Sequence, residues 1–84
     1  MAVKRDLREW VLEALKRNGG RASIVEVCKH IWENHQTELR RSKNLFYTWQ
    51  YDVRWVAHQL RKEGIVRSQA VSPKGMWELE EDFA

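Results

Sequence analysis

Cysteine and proline are nearly absent from this chain, which contains only Cys28 and Pro73 of these types. A single thiol excludes a disulfide within the chain, and no second cysteine stands at a spacing that would hold zinc. No apolar run approaches the roughly 20 residues that a membrane-spanning helix needs. The charged residues 1–8 also lack the apolar core of a secretion signal. A reduced thiol without an export signal favours a cytoplasmic location.

The usual sequence signs of an enzyme are missing as well. No nucleophile–base pair, glycine-rich phosphate loop or pair of carboxylates at helical spacing is found, so the sequence predicts no enzyme, cofactor or metal site. His30 and His35 flank a predicted helix but have no matching acid or thiol triad. Cys28 lies on the apolar side of that helix, as expected of an inert buried thiol.

Tryptophan is abundant, with five residues in a chain of 84. A chain of this length forms one domain near the lower limit of independent folding, so dense packing must stabilise it. Each buried aromatic side chain removes about 150–250 Å² from water. We predict a single domain over residues 1–80 and a frayed acidic tail over residues 81–84. Four tryptophans fit the predicted core: Trp10, Trp32, Trp49 and Trp77.

Charge is distributed unevenly along the chain. Residues 1–74 contain fifteen basic and eight acidic residues, a net charge of +7, whereas residues 75–84 contain four acids and no base. Residues 40–74 alone have a net charge of +6. A basic segment of this density is typical of a polyanion-binding surface, although a solubilising surface has the same composition.

Apolar residues recur at helical spacing over two N-terminal segments. The first helix is predicted over residues 6–18 and is ended by Gly19-Gly20. The second begins at Ser23, which opens a capping-box pattern, and is predicted to end near His35. Arg21-Ala22, between the two helices, is predicted to form a short strand or an extended link.

Residues 36–44 are polar and weakly periodic, which predicts a loop with at most one helical turn. A third helix is predicted over residues 45–63, closed by Gly64. At about 100° per residue, one side of this helix is apolar and the other is basic and aromatic, with the acid Asp52 only at its flank. The apolar side contains Phe46, Trp49, Val53, Val56, Ala57 and Leu60. The opposite side contains Tyr47, Tyr51, Arg54, Trp55, His58, Arg61 and Lys62.

The last segment has the pattern of a β-hairpin. Residues 65–70 are predicted to form a strand, residues 71–75 a turn, and residues 76–80 a second strand with Trp77 and Leu79 facing inward. Three helices followed by a hairpin are the element order of a winged helix, an α+β fold. In that fold the third helix enters the major groove of DNA and the hairpin, called the wing, contacts the adjacent backbone.

Two segments resemble a known protein family. They are YDVRWVAHQLRKEGIV, from Tyr51 to Val66, and SPKGMWEL, from Ser72 to Leu79. Together they resemble the N-terminal winged-helix domain of Mrr-type restriction endonucleases, over the second half of the chain in sequence and over the first half only in helix pattern. The resemblance implies DNA binding. It does not imply cleavage, because the nuclease domain of that family does not occur in these 84 residues.

We therefore predict a module that binds double-stranded DNA, either as a transcriptional regulator or as the reader of a restriction or defence system, with a homodimer as one option. Arginine can bond guanine edges and tyrosine can reach phosphate or base surface. For the residues before the third helix, a phosphate clamp and a mobile charged loop are both open. For Trp55, packing under residues 36–44 or against the hairpin is favoured over contact with DNA or a second subunit. The predicted contacts are Arg40, Arg41, Lys43, Tyr47, Tyr51, Arg54, His58, Arg61, Lys62, Arg67 and Lys74.

The alternative function is a winged helix that docks onto a protein and does not bind DNA, because the fold alone does not fix its use. Steep salt dependence would favour DNA as the partner. Binding that survives salt and needs Trp55 but not Arg54 would favour a protein partner.

Overall fold

The computed structural model describes residues 3–83, which form an α+β structure of three α-helices and a two-stranded antiparallel sheet. The predicted fold class, α+β, is confirmed. No helix within residues 3–83 is long and apolar enough to cross a membrane. The elements are α1 (Lys4–Arg17), β1 (Arg21–Ser23), α2 (Ile24–Arg40), α3 (Asn44–Lys62), β2 (Met76–Glu78) and a final 3-10 turn (Glu81–Phe83).

Helix α1 is stabilised by polar contacts at both ends. The Asp6 carboxylate accepts a hydrogen bond from the Val3 backbone N–H at 2.9 Å, so Asp6 acts as the acid of the first turn. At the other end, the Gly20 N–H donates to the Leu15 carbonyl at 2.8 Å, and Gly20 has a φ of 97°. This left-handed conformation requires glycine, and it turns the chain directly into β1.

The capping box at the start of α2 forms as predicted. The Glu26 N–H donates to the Ser23 hydroxyl at 3.1 Å, and the Ser23 N–H donates to the Glu26 carboxylate at 2.9 Å. Both contacts satisfy backbone donors that a helix start leaves without partners.

Helix α2 does not end near His35, and that prediction was wrong. The chain bends at His35, with φ −130° and ψ 19°, and the helix then continues to Arg40. The His35 ring stacks on Trp10 of α1, with centroids 4.1 Å apart, while Leu39 beyond the bend is fully buried. The bend changes the phase of the apolar pattern, which explains the weak periodicity of residues 36–44. Only Arg41–Lys43 separate the two helices, so the predicted loop is largely helical.

Helix α3 packs its apolar side against α1 and α2. Trp49, Val53, Val56, Ala57 and Leu60 are buried as predicted, whereas Phe46 is only partly buried. The helix ends as predicted before Gly64, whose φ of 77° allows the Ile65 N–H to return to the Leu60 carbonyl.

The sheet pairs a strand between α1 and α2 with a strand near the C-terminus. Strand β1 pairs with β2 in antiparallel register, with Ala22 opposite Trp77, which confirms the strand alternative for Arg21-Ala22. On the other edge of β2, Val66 forms a single bridge with Leu79, and the Arg67 N–H donates to the Glu78 carbonyl.

The predicted strand over residues 65–70 is therefore limited to a few residues around Val66. Beyond Arg67 the backbone bonds locally: the Val71 and Ser72 N–H groups donate to the Ser68 carbonyl, and Met76 donates to the carbonyl of Pro73. Local turns thus take the place of the strand pairing that was predicted beyond Arg67. We call residues 68–75 the connecting segment.

One apolar core joins all these elements. Trp10, Trp49 and Trp77 are buried in it as predicted, and Trp32 is partly buried against it. The exposed outer side of α3 lies opposite this core, and it is the surface to which the sequence assigns a function.

Candidate nucleic-acid interface

The outer side of α3 is a continuous exposed surface. Tyr47 and Tyr51 are 82% and 76% exposed, and Trp55 is 47% exposed. The charged and polar members, Arg54, His58 and Lys62, are exposed as well. We call these six residues the α3 outer face. Among the described residues, Tyr51, Arg54, His58 and Lys62 form no side-chain hydrogen bond, ion pair or ring contact.

The acids of this helix are paired away from the outer face. Asp52 is buried; one carboxylate oxygen accepts from the Thr48 hydroxyl at 2.8 Å and the other lies 3.7 Å from Lys4 Nζ. Glu63, the residue that follows α3, accepts two hydrogen bonds from the Arg8 guanidinium at 2.7 and 2.8 Å. The pKa of Glu63 is lowered, mainly by these hydrogen bonds. Both carboxylates are thus directed towards α1.

Arg61 differs from the other predicted contacts because it is half-buried. Its Nε donates to the Arg67 carbonyl at 3.0 Å, and one Nη lies 3.4 Å from the Met76 carbonyl. Burial lowers the pKa of this guanidinium. Arg61 therefore joins α3 to both ends of the connecting segment and lies apart from the outer face.

The basic residues before α3 lie at the end of α2 and in the short turn that joins α2 to α3. The Arg40 guanidinium lies over the Trp32 ring, 5.5 Å from its centroid, at the end of α2. Arg41 and Lys43 are exposed. Lys43 has a φ of 51° and a ψ of −113°, and the Leu45 N–H donates to the Ser42 carbonyl across it. This is the geometry of a type II′ turn, in which glycine is preferred at the position of Lys43.

The two basic residues predicted for the hairpin have different surroundings. Arg67 Nε lies 3.3 Å from the Glu80 carboxylate, so this charge is partly compensated. Lys74 is exposed in the connecting segment, next to Gly75, whose carbonyl accepts from the Ile24 N–H at 3.2 Å. The connecting segment is thus held against the start of α2 as well as the end of α3.

Trp55 lies beside α1, so neither of the packing sites favoured from the sequence is correct. Lys4 Nζ is 5.0 Å from the centroid of its ring, a cation–π arrangement. Arg5 and Arg8 line the same shallow recess of about 290 Å³. Three basic side chains of α1 therefore border the outer face of α3.

Between α2 and α3 lies an open groove of about 660 Å³ that the sequence reasoning missed. Trp32 and Trp49 stack at its floor with centroids 6.2 Å apart. Cys28 is half-buried there, and burial raises the pKa of its thiol although Arg54 acts in the opposite direction. The partly buried Phe46 was the available signal, since it implies an apolar rim. The groove is lined by Ile24, Val25, Cys28, Lys29, Trp32, Phe46, Trp49, Gln50 and Arg54.

A second feature missed from the sequence is the acid that contacts both helix-flanking histidines. Glu13 Oε1 lies 2.8 Å from His30 Nε2 and 3.3 Å from His35 Nε2. The pKa of Glu13 is lowered, mainly by the hydrogen bond with His30. Because Glu13 belongs to α1, sequence spacing within α2 could not reveal it. Within residues 3–83, no group of three His, Cys, Asp or Glu side chains has the geometry to hold a metal ion.

Comparison with known proteins identifies no relative: no protein-family model, curated protein or solved structure matches the chain. The resemblance to the Mrr-type N-terminal domain therefore stays a prediction from the sequence.

Proposed function

We propose that this chain is a winged-helix module that binds double-stranded DNA, with α3 in the major groove and the connecting segment as a wing on the backbone. Its biological role, in transcriptional regulation or as the reader of a restriction system, belongs to the same proposal. The observation that carries it is the charge of the α3 outer face. Arg54, His58 and Lys62 are exposed there, while Asp52 and Glu63 are paired towards α1.

A surface that presents basic groups without compensating carboxylates suits the phosphate backbone. Each neutralised phosphate releases counterions, which favours binding at low salt. Arginine and tyrosine side chains in the groove can then contact base edges and sugar-phosphate groups. Arg54, midway along the length of α3, is the residue we assign to a base-edge contact.

The attachment of the connecting segment supports the same arrangement. Arg61 contacts the carbonyls of Arg67 and Met76, at the two ends of this segment. The segment that contains the exposed Lys74 is therefore attached to the C-terminal half of α3. An attachment of this kind lets a helix and a wing contact one duplex together.

The test is fluorescence anisotropy with a labelled duplex of about 20 base pairs, two helical turns, over a series of salt concentrations. We expect affinity to fall steeply with salt. Arg54→Ala should weaken binding roughly 5- to 100-fold, the cost of one lost base-edge contact. Arg17→Ala is the matched control, since Arg17 is equally basic and exposed but lies in the last turn of α1.

A protein that does not bind the duplex at low salt would contradict the proposal. Equal losses in the Arg54 and Arg17 variants would also contradict it, because they would indicate attraction by net charge without a role for α3.

A protein-docking winged helix is the second candidate, and the α2–α3 groove is the observation that favours it. The groove is apolar at its floor and open to solvent, as in sites that accept an amphipathic helix. Binding of a protein partner that survives high salt and is weakened by Val25→Ala, at an exposed residue that lines the groove, would support this function over the first.

A further inference from the structure

Three aromatic side chains follow one another along the outer face of α3. Tyr47, Tyr51 and Trp55 are spaced four residues apart, and all three are exposed. We call them the aromatic stripe. A spacing of four residues corresponds to about 6 Å along a helix axis, so the rings are presented in sequence at about that interval.

This stripe has few contacts within the described residues. Tyr51 forms no side-chain hydrogen bond, ion pair or ring contact, and the ring of Tyr47 contacts that of Phe46 edge to face. Trp55 lies beside α1, with Lys4 over its ring. Large apolar groups that lie contiguously on a surface mark sites of interaction. The aromatic stripe is therefore suited to bind a partner with flat apolar surfaces.

The charges around the stripe decide the class of partner. Arg54 follows Tyr51 by three residues, which places both on the same face of the helix. Lys4 lies over the Trp55 ring, and Arg5 lines the recess beside it. The nearby Asp52 is buried and paired with Lys4 and Thr48. A second copy of this chain would bring the same positive charges together. A polyanion that has flat rings satisfies both the charge and the shape.

We propose that the aromatic stripe stacks on unpaired bases, so that the preferred target is a DNA duplex that contains an unpaired segment. This inference rests on the proposed function. In an intact duplex the faces of the bases are covered by their neighbours, and only edges are accessible in the grooves. Unpaired bases expose their faces, and stacking on aromatic side chains is the usual way in which proteins bind them.

The spacing of the rings points in the same direction. Stacked bases follow one another at about 3.4 Å along a strand, which is well below the interval of about 6 Å between the rings. Successive bases can meet successive rings only if the strand is extended and unstacked. An unpaired segment has this freedom and an intact duplex does not.

The experiment compares three labelled probes by anisotropy: an intact duplex, the same duplex with a central bubble of non-complementary bases, and the single strand. We expect the bubble duplex to bind at least several-fold more tightly than the intact duplex. Tyr51→Ala should weaken binding to the bubble roughly tenfold and weaken binding to the intact duplex by a clearly smaller factor, because only the bubble exposes base faces to the ring. Tyr51→Phe should restore the preference, because it keeps the ring.

Phe83→Ala is the matched control, since Phe83 is a 45% exposed aromatic residue in the final 3-10 turn, outside α3. Far-UV circular dichroism and thermal melts check that each variant is folded. A second readout is the fluorescence of Trp55, obtained as the difference between the wild type and Trp55→Phe. We expect the bubble probe to quench it clearly more strongly than the intact duplex does.

The outcomes separate the two proposals. Equal affinity for bubble and intact duplex, with equal losses from Tyr51→Ala on both, would overturn this inference and leave duplex binding intact. Sedimentation showing a dimer that Tyr51→Ala dissociates would also overturn it, because the stripe would then be a subunit interface. If no probe binds at low salt, the proposed function itself fails.

Discussion

At the scale of single residues, Glu13 shows how one side chain can connect two helices. Its Oε1 contacts His30 before the bend in α2 and His35 at the bend, while His35 also stacks on Trp10. One carboxylate of α1 thus holds both parts of α2. The lowered pKa of Glu13 means that the charged form is favoured by folding.

The first prediction concerns Glu13→Gln. Because the folded pKa of Glu13 lies below the reference value of 4.5, its contribution to stability is present above that pH and is lost as the pH falls through the folded value. We expect the wild type to be more stable than Glu13→Gln near neutral pH, with a difference that narrows below about pH 4.5. Urea unfolding over a pH series, followed by circular dichroism, measures this difference.

Glu33→Gln is the control, because Glu33 is exposed on α2 and has no ion pair among the described residues. A difference in the free energy of unfolding between the wild type and Glu13→Gln that stays constant down to pH 3 would contradict the stabilising role of the charged Glu13.

At the scale of elements, the turn between α2 and α3 combines a strained backbone with a basic side chain. Lys43 adopts φ 51° at a turn position where glycine is preferred. A residue other than glycine held in such a region costs about 1–3 kcal/mol. Lys43 is also one of the residues predicted to contact phosphate. Stability therefore favours glycine at this position, whereas DNA binding favours lysine.

Lys43→Gly should therefore raise stability and weaken DNA binding. The strain that is relieved exceeds the cost of the greater freedom of glycine in the unfolded chain. We therefore expect the free energy of unfolding to rise by about 1 kcal/mol, which raises the melting temperature by about 4–8 °C. If Lys43 contacts a phosphate, the slope of log K against log salt should fall by about one unit. Differential scanning calorimetry and the salt series of the anisotropy assay measure the two effects.

Arg41→Gly provides the comparison, since Arg41 has a φ of −88° and gains nothing from glycine. A lower melting temperature for Lys43→Gly than for the wild type would show that the turn is not strained as described.

What could be predicted at this scale followed from local pattern. The apolar stripes of α1 and α3, the capping box at Ser23 and the stop at Gly64 depend on residues within one or two turns of each other. The extension of α2 to Arg40 follows a bend at His35, and His35 stacks on Trp10, which is distant in sequence. Contacts of this kind leave no periodic signal in the sequence.

In the candidate site, too, local pattern could be predicted and contacts between distant residues could not. The helical wheel predicted that Tyr47, Tyr51, Arg54 and His58 share an exposed face. It could not predict that Arg61, on the edge of the same side, turns towards the connecting segment, since that depends on the carbonyls of Arg67 and Met76. The pairing of Asp52 and Glu63 with α1 was equally hidden.

At the scale of the whole molecule, the sheet ties the C-terminal residues to the N-terminal half. Strand β1 pairs with β2, and the Leu79 N–H donates to the Gly20 carbonyl. Val66, Trp77 and Leu79 belong to the common core. Each such side chain contributes about 1.5–3 kcal/mol by burial, and together they are comparable with the 5–15 kcal/mol stability of a small domain.

A chain that ends at residue 64 should therefore lose cooperative unfolding, because β1 has no partner and the core is open. A chain that ends at residue 80 should keep it, since the bond from the Glu80 N–H to the Ile65 carbonyl remains. Thermal and urea denaturation followed by circular dichroism distinguish the two. A cooperative transition in the shorter chain would show that the three helices fold without the sheet.

The pairing of Arg21 with Glu78 also has a consequence for the order of events during synthesis. A ribosome makes the three helices first, and each can begin to form from its own local contacts as it emerges. The sheet cannot close until residues 76–80 have been translated. During that interval β1 has an open edge and the apolar residues that later meet Trp77 are accessible to water, so nascent-chain chaperones and aggregation compete for the same surface.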